Sequence, residues 1–277
     1  MFLGIDIGGT TTDIVSFDNG DLSGFLTVTA NDPVTSASGA LGKFVSRYAV
    51  PLNRIKAVAV TGVGAGSLGE DLFGIPLVKV DEFRAVGMGG QYLSGLTKAV
   101  VVSMGTGTAV VRAEGSTVQH LGGTGVGGGT LIGLAKYMLQ VTDFDTLMDL
   151  AAHGDLSKVD LSIGEIGMSE IGSLPPDVTA SNFGKHSDKA GDRDLALGIV
   201  NLVCQTIGVI SVFASRNYGI KTVVLTGKMI RIPQICGIFK RLESLFGVSF
   251  LIPPNAEYAT AVGAASTLIG AQSTVSE

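Results

Sequence analysis

One carboxylate, Asp6, stands in the apolar run FLGIDI, among Phe2, Leu3, Ile5 and Ile7. Gly8, Gly9 and three successive threonines, Thr10, Thr11 and Thr12, follow it, and then Asp13, Ile14 and Val15. Residues 3–15 therefore read as strand, tight turn, strand. A turn of small residues lets backbone N–H groups approach an anion, because glycine lacks the Cβ that would block the approach. The threonine hydroxyls add donors. Asp6 repels phosphate directly, but it reaches phosphate through a divalent cation such as Mg2+ or a water that the cation holds. This is the chemistry of a Mg-nucleotide phosphate loop. Taken alone, the stretch is also compatible with a plain β-turn carrying a buried, hydrogen-bonded aspartate, since short glycine motifs are weak signals.

Two further stretches carry related chemistry. MGTGT at 104–108 lies between the apolar runs 99–103 and 109–113, so strand, Gly/Thr turn, strand occurs twice in the chain. GGTGVGGGT at 122–130 leads into an apolar helix over 131–139. A glycine-rich loop at a helix N-terminus binds anions through free N–H groups and the helix dipole; its bland alternative is a flexible linker. Asp81 and Glu82 follow the carboxyl end of a strand read over 75–80, where a side chain projects into a cleft; the alternative is a solvated pair at a helix start. His153 and His186 have no partner at metal-ligand spacing and read as exposed polar residues. Cys204 and Cys236 sit in apolar sequence without metal-ligand spacing and read as buried, reduced thiols. Asp188, Asp192 and Asp194 precede or open a long helix, where negative charge suits the dipole.

The bulk numbers bound the reading. The chain has 277 residues, long enough for two lobes with their own cores. Its 40 glycines cluster between apolar runs instead of forming low-complexity tracts, which indicates a folded, enzyme-like chain. The net charge of −5 and the lack of basic runs argue against a nucleic-acid partner. Mean hydropathy is +0.44, yet no stretch holds about 18 uninterrupted apolar residues. We therefore expect no membrane span, no signal peptide and a cytoplasmic protein whose apolar excess covers an oligomer interface.

The elements that must position these residues alternate. Strands are expected at 22–29, 55–61, 75–80, 222–225 and 248–252, besides the two hairpins. Apolar spacing predicts helices at 35–48, 83–96, 131–139, 143–152, 192–218, 232–246 and 259–269. Helix 192–218 is the longest, and suits either core or a dimer interface. Thr226, Gly227 and Lys228 turn the chain after a buried strand. The expected fold is α/β, two related lobes at 1–97 and 98–277, each a mixed sheet with flanking helices around a shared nucleotide cleft.

These stretches resemble the actin-like (ribonuclease H-like) ATPase superfamily of sugar kinases, acetate kinases and Hsp70 proteins. Within it the chain is most similar to the type II, eukaryotic-like pantothenate kinases. The resemblance rests on IDIGGT at 5–10, VDEF at 80–83, VSMGTGT at 102–108, GGTGVGGGTLIGL at 122–134, ASNFG at 180–184 and AVGA at 261–264, in that order. It implies a kinase that uses ATP and Mg2+ to phosphorylate the primary hydroxyl of pantothenate, the first step of coenzyme A biosynthesis, and a homodimer. Glu82 would be the general base. Asp6 would organise Mg2+. Gly8, Gly9, Thr10, Thr11, Thr12 and Asp13 would line the phosphates from one side, with Thr106, Gly128, Gly129, Thr130, Leu131 and Ile132 opposite. Gly227 would border the nucleoside, and Phe144 either the adenine or ordinary core. Thr106 and His120 would join Glu82 at the substrate.

The chain also departs from that pattern. Asp13 stands where these kinases usually carry a lysine, Ala109 where they usually keep a hydroxyl, and His120 where an arginine grips the substrate carboxylate. A histidine binds an anion only as imidazolium and lacks the guanidinium fork. A related alcohol without the carboxylate, or a non-catalytic nucleotide- or acyl-CoA-binding protein, is therefore an alternative. ATPase activators of 2-hydroxyacyl-CoA dehydratases share such a first hairpin, but hold an iron–sulfur cluster on a closely placed cysteine pair that this chain lacks.

Overall fold

Alternation within the first hairpin decides how its sheet is covered. In the computed structural model, which describes residues 1–29, 32–167, 174–185 and 189–273, β1 (Phe2–Ile7), β2 (Thr12–Asp18) and β3 (Asp21–Val28) form an antiparallel meander. α1 (Pro33–Tyr48) follows, its Asp32 N-cap accepting from the Thr35 amide. β4 (Ala57–Thr61) pairs parallel to β1, and β5 (Asp71–Leu72) and β6 (Ile75–Lys79) complete the order β3-β2-β1-β4-β6-β5. Leu3, Ile5, Ile7, Ile14, Val58 and Val60 point to one face and bury against α1. The opposite face carries Val15 and Phe17, and a helix from the far end of the chain covers it.

α2 (Glu82–Ser94) leads to a second sheet: β7 (Lys98–Met104), β8 (Thr108–Glu114) and β9 (Thr117–Thr124). Then come α3 (Gly128–Leu139), α4 (Phe144–Ala151), the short ribbon of β10 (Leu161–Ser162) and β11 (Thr179–Ser181) around α5 (Ile163–Ile166), α6 (Asp192–Asn217), β12 (Thr222–Thr226), α7 (Ile235–Phe246), β13 (Ser249–Leu251) and α8 (Ala259–Ser273). The order is β13-β12-β7-β8-β9. Residues 99–102 are apolar at every position because both faces are covered. Val100, Val102 and Met104 pack toward Leu131, Ile199, Val203 and Ile207, whereas Ala99 and Val101 pack toward Val86 of α2.

α2 and α8 fill the space between the sheets. α8, though last in the chain, lies on the first sheet through Ala261, Val262 and Ala265, while α2 lies on the second. They cross closely: a Cβ on Gly89 would lie 1.8 Å from the Ala259 carbonyl oxygen, and one on Gly263 1.8 Å from that of Ala85.

The α/β architecture and most elements match expectation, and four details differ. β9 occupies 117–124 and so takes in the first three residues, 122–124, of the stretch read as a glycine loop, because Gly122 and Gly123 pair with Val110 and Ala109. Helix α3 starts at Gly128, three residues early. Cys236 is exposed, unlike the buried Cys204, whose thiol burial raises to about 12. α6 is apolar and long enough to cross a membrane by composition, but Ile199, Val203 and Ile207 are buried in the core. His186 and Asp188 lie outside the described residues. Asp194 caps α6 as expected, accepting from the Gly191 amide.

Candidate active site

Four polar side chains stand in a row on the first sheet where β1 and β4 end. Asp6 faces Asp13 across the β1–β2 ladder. Thr61 is the partner of Asp6 on β4, and Thr27 the partner of Asp13 on β3. In-register neighbours share a face, here the one turned toward the second sheet, opposite Ile5 and Ile14. Ligands of open α/β sheets bind beyond the carboxyl ends of such strands.

The row is short of positive charge. Desolvation, with the charges of Asp13 and Glu82, pushes Asp6 up to about 7, and Lys228 offsets part of that. The Thr61 hydroxyl is fully buried and, among the described residues, bonds to nothing. Gly62 (φ +86°) leaves room for the carboxylate, since a Cβ there would lie 2.4 Å from Asp6 Oδ1. A destabilised carboxylate beside an orphaned hydroxyl fits a divalent cation. No cluster of three or more acidic, His or Cys ligands occurs among the described residues. That agrees with Mg2+, which takes one or two carboxylates and completes its shell with water and phosphate.

The charge from the opposite side arrives on the second sheet. After β12, Gly227 turns the chain and Lys228 reaches across. Its Nζ donates to Asp13 Oδ1 at 2.6 Å and to Thr27 Oγ1 at 3.0 Å. It also lies 4.6 Å from the Tyr258 ring centroid, a cation–π contact. Burial raises Asp13, and Lys228 opposes that rise.

The two glycine turns meet. Thr10 Oγ1 lies 3.3 Å from Thr106 Oγ1, and Gly8, Gly9 and Thr10 are exposed at the first tip. The second tip is pinned from behind: the Gly128 amide donates to the Gly105 carbonyl at 2.8 Å and that of Gly129 to the Thr106 carbonyl at 2.9 Å. Thr130 Oγ1 accepts from the Gly127 amide and donates to the Gly125 carbonyl.

Glu82 opens α2, with Asp81 as N-cap accepting from the Arg84 amide. Partial burial and the Asp81 charge raise Glu82 above the usual carboxylate range. The next residue, Phe83, stacks flat on His120 of β9, with ring centroids 3.8 Å apart. A bulge in the β8–β9 ladder beside His120 re-aims that strand. The stack ties His120 to the first turn of α2.

The Fumble family model matches residues 94–237, the segment from the end of α2 into α7. The chain belongs to the Fumble family. The type II pantothenate kinase of Staphylococcus aureus (strain USA300) is 28% identical over 239 residues, 82% of this chain and 84% of that protein. In structure, the chain is similar to the activator of 2-hydroxyisocaproyl-CoA dehydratase from Clostridium difficile with bound ADPNP: TM-score 0.70, 19% identity, 99% of this chain and 97% of that one. It is also similar to the ROK hexokinase from Thermus thermophilus: TM-score 0.59, 14% identity, 98% and 99%. At these identities the structural likenesses speak for the fold.

In this Fumble chain the expected residues divide into three groups. Thr10 and Thr106 meet at the two tips, which Gly8, Gly9 and Thr11 help to form, Asp6 and Asp13 stand side by side in the sheet beneath, Gly227 packs on Met104 at the second tip, Glu82 is near enough to Asp6 to act on its charge, and His120 stacks on Phe83. Gly128, Gly129 and Thr130 are adjacent, but the first two amides expected for phosphate serve the hairpin carbonyls instead. Four residues are turned away. Thr12 is buried on the α1 face, two positions from Ile14. Leu131 is wholly buried in the second core with its amide on Gly127. Phe144 packs against that same core, as does Ile132, which favours its plain packing role. Lys228, Thr27, Thr61 and Tyr258 were not anticipated. A lysine directly after the strand–Gly turn was the available signal for the first.

Proposed function

We propose that the protein is a kinase that transfers the γ-phosphoryl group of Mg-ATP to the primary hydroxyl of pantothenate. The observation that supports this is Glu82 at the first turn of α2, close enough to Asp6 to help raise its pKa, with the neighbouring Phe83 stacked on His120. The 28% relation to a type II pantothenate kinase supports the acceptor. ATP binding is supported by the paired glycine turns.

Glu82 accepts the proton of the acceptor hydroxyl as its oxygen attacks the γ-phosphorus. Its raised pKa suits a modest base, and phosphoryl transfer asks more of positioning than of basicity. Asp6, with Thr61 beside it, would hold Mg2+, which when bound neutralises phosphate charge. The Gly8 amide closes the first turn on the Thr11 carbonyl at 3.0 Å, which leaves the exposed Gly9 and Thr10 backbone and the Thr10 and Thr106 hydroxyls to orient phosphate oxygens. His120 binds the pantothenate carboxylate in the arginine's stead. A cytoplasmic homodimer with lobes 1–97 and 98–277 is part of the same proposal.

The carboxylate-free alcohol keeps its place as a second reading because of His120. The dehydratase-activator reading is disfavoured: Cys204 is buried in α6 and only Cys236 is exposed. The test is ADP release from Mg-ATP with and without pantothenate. Pantothenate-dependent release is expected from the wild type and should fall by at least about a hundredfold in Glu82→Gln, the lower range for general-base catalysis, with nucleotide binding retained. No stimulation by pantothenate, with ATP still bound, would rule out this acceptor.

A further inference from the structure

We propose that Lys228 is the cation that meets the nucleotide's phosphates, and that Asp13 and Thr27 are positioning residues that aim it. The inference rests on the nucleotide-binding part of the proposed function and is independent of the acceptor. Residues 2–18, the whole first hairpin, contain no lysine or arginine, yet they present Asp6 and Asp13 side by side. Glu82 adds a third carboxylate nearby. A polyphosphate approaching three carboxylates is repelled unless cations intervene. A single divalent ion at Asp6 leaves the Asp13 side of the row uncompensated.

Lys228 is placed to supply that charge. Thr226 pairs with Ser103 at the base of the second hairpin, and Gly227 passes so close to Met104 that a Cβ would lie 2.6 Å from its carbonyl oxygen. The lysine therefore emerges between the two tips. An ammonium carries three N–H donors. Two go to Asp13 and Thr27, and the third remains for a phosphate oxygen. The side chain is 30% exposed while that of Asp13 is 7% exposed, so the carboxylate is fixed inside the sheet and the ammonium faces the cleft. Tyr258 limits the lysine from the other side.

A bridge that merely ties the sheets together is the competing account, and binding to the full-length chain separates the two. Affinities for Mg-ATP and for adenosine are measured by calorimetry, together with melting temperature. Lys228→Met is expected to weaken Mg-ATP by about tenfold or more and to leave adenosine affinity near wild type, whatever melting temperature is lost with the Asp13 ion pair. Lys228→Arg should recover part of the loss. The double variant Asp13→Lys with Lys228→Asn moves the cation onto β2 and should regain Mg-ATP affinity that Lys228→Asn alone lacks. Unchanged Mg-ATP affinity in Lys228→Met overturns the proposal, and so does equal weakening of ATP and adenosine with a lower melting temperature. A wild type that binds Mg-ATP but ignores pantothenate leaves this inference standing and removes only the acceptor; one that binds no nucleotide removes both.

Discussion

Asp6 is held in two energetic states that bear on free-protein stability. In the folded chain its pKa is about 7, against an ordinary 3.8, because desolvation and neighbouring carboxylates oppose its charge. Between those values the folded protein keeps a proton that the unfolded chain releases. Stability therefore falls as pH rises through that window and is level above it. Asp13, raised in the same direction, adds to the trend. Asp6→Asn removes the main source. In buffer with a chelator, its melting temperature should vary less between pH 4 and 7 than that of the wild type, and should be the higher of the two at pH 8. Melting curves with parallel pH slopes would show that Asp6 is already ionised and compensated in the metal-free protein.

At the scale of elements, the α2–α8 crossing is set by glycines. With backbone oxygens 1.8 Å from the built Cβ positions of Gly89 and Gly263, an added methyl forces the helices apart, and overpacking of this kind costs about 1–3 kcal/mol. Gly89→Ala and Gly263→Ala should each lower the unfolding free energy by that amount in denaturant titrations. Gly42→Ala, at an exposed position of α1 with open space at its Cβ, should be neutral or stabilising by up to about 1 kcal/mol. Equal effects at all three positions would mean that helix propensity, and not the crossing, governs them. This scale also shows what was legible beforehand. The hairpins, Glu82 and the βα alternation are local patterns, readable from glycine clusters and apolar periods. β9 was hidden because Gly122 and Gly123 look like loop while serving as strand. The turn of Thr12 into the α1-facing core was readable from its two-residue spacing to Ile14. The Lys228–Asp13 pair joins positions 215 apart in the chain, and the Gly128 and Gly129 bonds to the hairpin are likewise tertiary, so no local pattern announces them.

The whole molecule is a stack: α1, the first sheet, α2 with α8, the second sheet, then the layer holding α3, α6 and α7. Each segment lends a helix to the other's sheet, which leaves the contacts Thr10–Thr106 and Asp13–Lys228 to close the cleft at one end. The outer layer is less complete. Leu202, Thr206 and Ile210 of α6 are half-buried at helical spacing, and Phe213, next in that stripe, is 62% exposed. Ile210, Phe213 and Ala214 border a groove whose far wall is Val110, Leu121 and the β9 glycines. Single exposed apolar residues need no partner, but a stripe continuous with a groove suits an interface. In a two-fold dimer the same stripe meets itself. We therefore expect the wild type to sediment at twice the 28.3 kDa chain mass. Phe213→Glu, which sets two carboxylates near one another across the axis, should sediment as a monomer with unchanged circular dichroism. A variant that stays dimeric would move the interface off α6, and a monomeric wild type would leave Phe213 as an isolated surface residue; either result is separable from nucleotide binding, because the stripe lies on the outer face of α6 and the two glycine turns lie between the sheets.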